Sequence, residues 1–146
     1  MTNSPAVSYT YSHTVDTDVA AQAIWALYED VDTWPLWDAQ AEHVTRDGPF
    51  AAGVTGTMTF TGQDPLHYRL TTVEPLREFV DETPVGDLVV RVSHGLAPLP
   101  SGRLRVTYAV EIDGPPEQAQ QIGPMITADV PATMASLLAL AGERDS

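Results

Sequence analysis

The sequence predicts an α+β domain in which a curved antiparallel sheet of about seven strands wraps a long C-terminal helix, with two short helices after the first strand. Three observations carry this. Period-two alternation of apolar and polar residues fills the middle of the chain, from Ala41 to Asp113. Helical periodicity is confined to Val19–Val31 and to Pro115–Asp145. The strands are half apolar and half polar, so the sheet needs one covered face, and the C-terminal helix carries the matching stripe.

The elements follow in order. In "VSYTYSHTVDT", Val7, Tyr9, Tyr11, His13 and Val15 alternate with small polar residues, which reads as a first strand. Thr17 or Asp18 can cap the helix "VAAQAIWALYEDV", whose stripe is Ala20, Ile24, Leu27 and Val31. In "DTWPLWD", Pro35 permits a break or the first turn of a new short helix. Strands are then expected in "AEHVTRDG", "TMTFT", "LHYRLTTVEP", "EFVDETP", "LVVRVSHGL" and "GRLRVTYAVEIDG". In the last of these Leu104, Val106, Tyr108, Val110 and Ile112 share one face. The final helix places Ile122, Ile126, Val130, Met134, Leu137 and Leu138 in one stripe, and Pro124 and Pro131 should each bend it or mark a start.

Bulk properties bound the function. A chain of 146 residues with 43% hydrophobic content suits one domain, 1–146, with its core at about 7–142. The net charge of −13 repels phosphate backbones and anionic surfaces, so neither nucleic acid nor membrane is an expected partner. The longest apolar run is shorter than a membrane span, and the N-terminus lacks a charged-then-apolar leader pattern, so a cytoplasmic protein is expected. The chain has no cysteine, and all seven basic residues are arginine. Thiol nucleophiles, thiolate metal sites and lysine Schiff bases are therefore excluded. Histidines, carboxylates, tyrosines and water remain as the catalytic inventory. No histidine pair has i, i+2 or i, i+4 spacing, so no metal site and no cofactor are expected. "GPFAAGVTG" lacks the lysine and the following helix of a phosphate loop.

The pattern W-x-x-W-D in "WPLWD", followed by "DGPFAAGVTG", "VEP", "FVDETP", "VSHGL" and "VEIDGP", resembles the SRPBCC (START-like) superfamily and, within it, the polyketide cyclase/dehydrase branch. The resemblance covers roughly Val7 to Gly142. It implies a helix-grip fold with an elongated cavity between sheet and helix. The superfamily hosts cyclases, dehydratases, lipid carriers and receptors, so fold does not settle activity.

Polar residues on the apolar strand faces are then the chemistry of that cavity. His94 lies between Val92 and Leu96, and Tyr108, one strand away, between Val106 and Val110. Asp81 shares a face with Phe79, and Glu42 with Val44, where Arg46 could pair with it. His94, Tyr108, Glu42 and Asp81 are the candidate catalytic residues: an imidazole base, a phenol donor for an oxyanion, and carboxylates to orient or shuttle. Each also has a plainer reading, a hydrogen-bonded core histidine, a sheet tyrosine, or a carboxylate turned to solvent by a one-residue slip. Candidate substrate contacts are Trp37, Tyr68, Phe50 (as a gate), Met58 and Phe60, with Ile126, Val130 and Met134 on the final helix. Trp34 reads as wall packing, and His13, His43 and His67 as surface or edge residues.

Three functions fit. One is an enzyme of cyclase or dehydratase type acting on a hydrophobic oxygenated substrate. The second is a non-catalytic carrier of a lipid-like or polyketide ligand. The third is an interaction module whose concavity is filled by Met125 and Met134. The expected partner is a hydrophobic small molecule, and a homodimer stays open.

Overall fold

The computed structural model describes residues 7–145, so the reading of the first six residues as leader-free lies outside the described residues. The strands are β1 (Val7–Thr17), β2 (Ala41–Val44), β3 (Thr55–Phe60), β4 (Leu66–Glu74), β5 (Glu78–Val85), β6 (Leu88–Pro98) and β7 (Leu104–Asp113). They form one sheet in the order β1-β7-β6-β5-β4-β3-β2, with every neighbouring pair antiparallel. β2 to β7 form a meander, and β1 closes the far side by pairing along its length with β7. Short connections join the strands from β3 to β7, residues 45–54 link β2 to β3, and the sheet curves around the helices as a helix grip.

α1 (Ala21–Glu29) buries Ile24, Trp25, Leu27 and Tyr28. The expected Thr17 or Asp18 cap is not formed. Ala20 occupies the cap position without a side-chain acceptor, and Thr17 Oγ1 instead accepts from Val19 N–H at 3.2 Å, one turn too early. α2 (Trp34–Trp37) carries Pro35 in its first turn, where the missing N–H has no intrahelical partner to lose.

The C-terminal helix is two helices, α3 (Pro116–Thr127) and α4 (Val130–Asp145), broken at Ala128–Asp129. Pro131 falls in the first turn of α4, as a helix start, while Pro124 sits inside α3. The apolar stripe changes phase at the break. α4 buries Val130, Met134 and Leu137 as expected, leaves the expected Leu138 half-buried and also buries Ala141, but α3 buries Ala119, Gly123 and Thr127. The cause is Tyr9 on β1, whose ring lies so close that a Cβ on Gly123 would come within 2.6 Å of it. α3 leans on that ring with its smallest residues, which leaves Ile122 half-buried and turns Ile126 outward, 37% exposed. Met125 is 74% exposed and does not fill the concavity, whereas Met134 is 1% exposed and does. By length and composition Pro116–Asp145 could cross a bilayer; here its buried side packs on α1, α2, β1 and β7.

The core forms two apolar clusters. One joins α1, α2, the α4 stripe, Tyr68, Leu70, Phe79, Leu96 and Val106; the other joins Leu88, Val90, Val92, Val110, Ile112 and Ala119 of α3. On β6 the seam between them falls between Val92 and Leu96, at His94. Tyr108 and Tyr11 pack against both clusters. The α3–α4 break falls at the same division, because α3 covers one cluster and α4 the other.

Candidate active site

The seam is crossed by one row of ladder partners: His13 on β1, Tyr108 on β7, His94 on β6, Phe79 on β5 and Val73 on β4. Directly paired residues share a face, so this register sets the row side by side on the concave surface. The His94 imidazole stacks on Phe79 with 4.0 Å between centroids and an 8° interplanar angle. Tyr108 meets its other side edge-on at 4.8 Å, and Tyr28 of α1 approaches at 5.5 Å. His13 is half-buried at the end of the row. It belongs to the concave face, although it lies on an edge strand.

Alternation along β5 turns Phe79, Asp81 and Thr83 inward, and all three are buried. Asp81 Oδ2 lies 3.1 Å from His94 Nε2, with side-chain exposures of 6% and 5%. An ionised carboxylate only accepts, so Nε2 carries the proton and donates. Nδ1 is buried without a hydrogen-bond partner, and in the Nε2–H tautomer it is a lone-pair acceptor. Thr83 Oγ1 is buried without a partner on the same strand face. Most buried polar atoms are paired, so two unpaired ones on a single inner wall are a feature of that wall.

Tyr108 lies mid-sheet beneath the helices, yet retains accessible surface, and the inward Val90 and Val92 keep 7% and 8%. Burial, and then the charges of Asp81 and Asp38, push the Tyr108 phenol well above its ordinary range. Tyr28 is pushed up by burial. Asp38 follows directly on α2 and its charge reaches both His94 and Tyr108. Burial raises its carboxyl, as does neighbouring Asp129, against a hydrogen bond donated by Gln40 N–H at 3.1 Å. Asp38 is the final residue of the W-x-x-W-D pattern and lies outside the candidates that strand alternation marks.

The remaining expected residues divide. Trp37 is buried, with its Nε1–H donating to Thr33 Oγ1 at 3.4 Å. Tyr68 is buried on the inner face, but its hydroxyl donates to Thr45 O at 2.6 Å, across Gly56, where a Cβ would collide with it. Burial pushes that phenol up to about 12. Phe50 plugs the concavity, meeting Phe79 at 5.1 Å and Trp25 at 5.9 Å. Met58 and Phe60 pack partly buried against the core, and Val130 and Met134 lie within it. Ile126 points away from the site. Glu42 is exposed, since a register irregularity between Ala41 and His43 lets Ala41 and Val44 both turn inward and throws Glu42 and His43 out. Arg46 does not pair with Glu42; it donates to the carbonyl oxygen of Glu29. His67 is exposed. Among the described residues no group of three histidine or acidic side chains converges on a metal position.

Where an elongated cavity was expected, rings of Trp25, Tyr28, Trp34 and Phe50 gather around Phe79, and Phe79, Tyr28 and Tyr108 in turn meet His94. Large aromatic side chains fill a concavity that aliphatic ones would leave open. A cleft of about 80 Å³ opens between the end of α2 and the first turns of α4, lined by Trp37, Ala39, Gln40, Asp129, Ala132, Thr133 and Ser136. A shallow hollow of about 400 Å³ along Thr10–Ser12 and Ala109–Glu111 lies apart from it.

Known proteins resemble this arrangement. Norcoclaurine synthase from Thalictrum flavum, as a point mutant with a transition-state analogue, superposes with a TM-score of 0.76 at 16% identity, covering 99% of this chain and 100% of that one. The Zhui aromatase/cyclase from Streptomyces sp. R1128 gives 0.76 at 13% identity over 93% and 94%. An Arthrobacter aurescens protein gives 0.69 at 22% identity over 93% and 87%. At these identities the likeness establishes the fold alone. No curated protein matches by sequence. A family model described as polyketide cyclase/dehydrase and lipid transport matches residues 8–142, nearly the whole length, and the chain therefore belongs to that family.

Proposed function

We propose that this protein is a cyclase- or dehydratase-type enzyme that takes a hydrophobic, oxygenated small molecule into the seam and works on it by acid/base chemistry. The observation that carries the reading is the His94 imidazole, held by Asp81 at Nε2 and left unpartnered at Nδ1, beside a phenol that stays protonated. Nδ1 is the base that removes a proton α to a carbonyl, and Asp81 stabilises the imidazolium formed. Tyr108 donates to the enolate oxygen. The enolate carbon then attacks a second carbonyl of the same molecule, closing a ring, and His94 returns its proton to the resulting alkoxide. Loss of water from that alcohol completes a dehydration. The rings fill the concavity, so the substrate enters by displacing one of them, and Phe50 is the ring that gives way.

The family description also covers transport, and the rings walling both faces of His94 favour a second reading in which the dyad only anchors a carried ligand. Extraction and identification of molecules bound to wild-type protein and to His94→Ala separates the two. Catalysis requires a transformed molecule from wild type and its unreacted precursor from the variant. The same unchanged molecule from both proteins rejects catalysis in favour of carriage.

A further inference from the structure

We infer that Thr83 binds a second oxygen of the ligand, so that the molecule lies along β5 with one polar group at His94 and another beyond Asp81. The inference deepens the proposed function and rests on it. Asp81 and Thr83 are two residues apart on the inner face of β5, and Glu82 between them turns outward to Arg91 at 2.8 Å. Two residues of extended strand span about 7 Å, and their side chains project from the same face. Thr83 therefore continues the wall that His94 and Asp81 begin.

The surroundings of Thr83 offer its hydroxyl nothing. Thr83 pairs with Val90 on β6, and Val90 with Ile112 on β7. α3 covers the cluster containing these two residues with Ala119 and the half-buried Ile122, whose side chains neither donate nor accept. Elsewhere buried threonines find partners. Thr33 Oγ1 donates to Leu27 O at 2.9 Å, and Thr127 Oγ1 to Gly123 O at 3.0 Å. Thr83 is 4% exposed, and its Oγ1 has no partner among the described residues. Valine has the same shape and would close this row without an unpaired polar atom. The hydroxyl does nothing for the fold that a methyl would not do better, so its use lies in what binds there. A threonine hydroxyl both donates and accepts, so it suits an uncharged hydroxyl or carbonyl oxygen.

The test is a cycle between isosteres on both sides of the contact. 2-Phenylethanol, 2-(4-hydroxyphenyl)ethanol and 2-(4-methylphenyl)ethanol are titrated calorimetrically into the full chain. The last two differ at the far end of the ring as threonine differs from valine. The hydroxyphenyl-to-methylphenyl affinity ratio should fall about tenfold from wild type to Thr83→Val, and Thr83→Ser should keep the wild-type ratio. Without ligand, Thr83→Val should unfold at the same urea concentration as wild type or a higher one, because it removes an unpaired hydroxyl. His94→Gln should weaken all three ligands alike and leave the ratio in place. A ratio indifferent to Thr83→Val overturns the inference. So does a lower unfolding midpoint for Thr83→Val, which would show that the hydroxyl already serves the fold. Weakening of all three ligands by His94→Gln would then leave the proposed function standing. Failure of all three to bind, or binding indifferent to His94→Gln, counts against both.

Discussion

Asp81 and His94 occupy positions where leucine would stabilise the fold more. Each is about 95% buried as a side chain, and the imidazole leaves one nitrogen unsatisfied. Removing one member of such a pair strands the other, whereas replacing both by apolar groups need cost nothing. His94→Leu should therefore lose about 3 kcal/mol in urea unfolding, and His94→Leu with Asp81→Leu should recover most of that loss. A double variant no more stable than the single one would show that the dyad is there for stability. These residues were legible in the sequence because an apolar face at period two makes each polar member conspicuous. Glu42 was misplaced by the same rule, since the irregularity at Ala41–His43 reverses its facing and leaves no mark in the residue pattern. Asp38 lies on no strand, so alternation does not mark it; it is half-buried at the C-cap of α2.

At the scale of elements, each of the seven strands and both short helices was legible, since a sheet with one covered face writes its pleat into the sequence. The C-terminal helix was legible in extent but not in phase. Its apolar residues alone would bury Ile122 and Ile126, but the ring of Tyr9 demands Ala119, Gly123 and Thr127 at the contact. The Tyr9 hydroxyl further ties this face by pairing with Thr127 Oγ1 at 3.0 Å. Two effects oppose each other in Gly123→Ala. Helix propensity favours alanine by about 1 kcal/mol. Overpacking against Tyr9 costs about 1–3 kcal/mol, because the clash is with a ring wedged between sheet and helix. A net loss of about 1 kcal/mol in chemical denaturation is expected. A gain of about 1 kcal/mol would mean that α3 does not lean on Tyr9 as described.

The whole molecule encloses tyrosines that resist ionisation, which fixes how its stability varies with pH. Burial raises Tyr28 and Tyr108 far above the unfolded value of about 10, so the folded state keeps protons that the unfolded state releases. Their contribution is complete below about pH 10 and falls as pH rises beyond it, by about 1.4 kcal/mol per tyrosine per pH unit. Urea midpoints should hold near about pH 9 and drop steeply by about pH 11, with tyrosinate absorbance appearing together with unfolding. Tyr108→Phe should make the decline shallower. Tyrosinate absorbance from all five tyrosines of a still-folded chain would contradict the enclosed arrangement.

The proposed chemistry needs Nδ1 of His94 as an uncommitted acceptor while Nε2 is committed to Asp81. Long-range proton–nitrogen correlation spectra of protein carrying ¹⁵N-histidine report this directly, with His94→Gln assigning the ring. A ring protonated at Nε2 is expected, its Nδ1 resonance moving as 2-phenylethanol is added while Nε2 stays in place. A proton on Nδ1, or an Nδ1 resonance indifferent to 2-phenylethanol, would contradict this assignment.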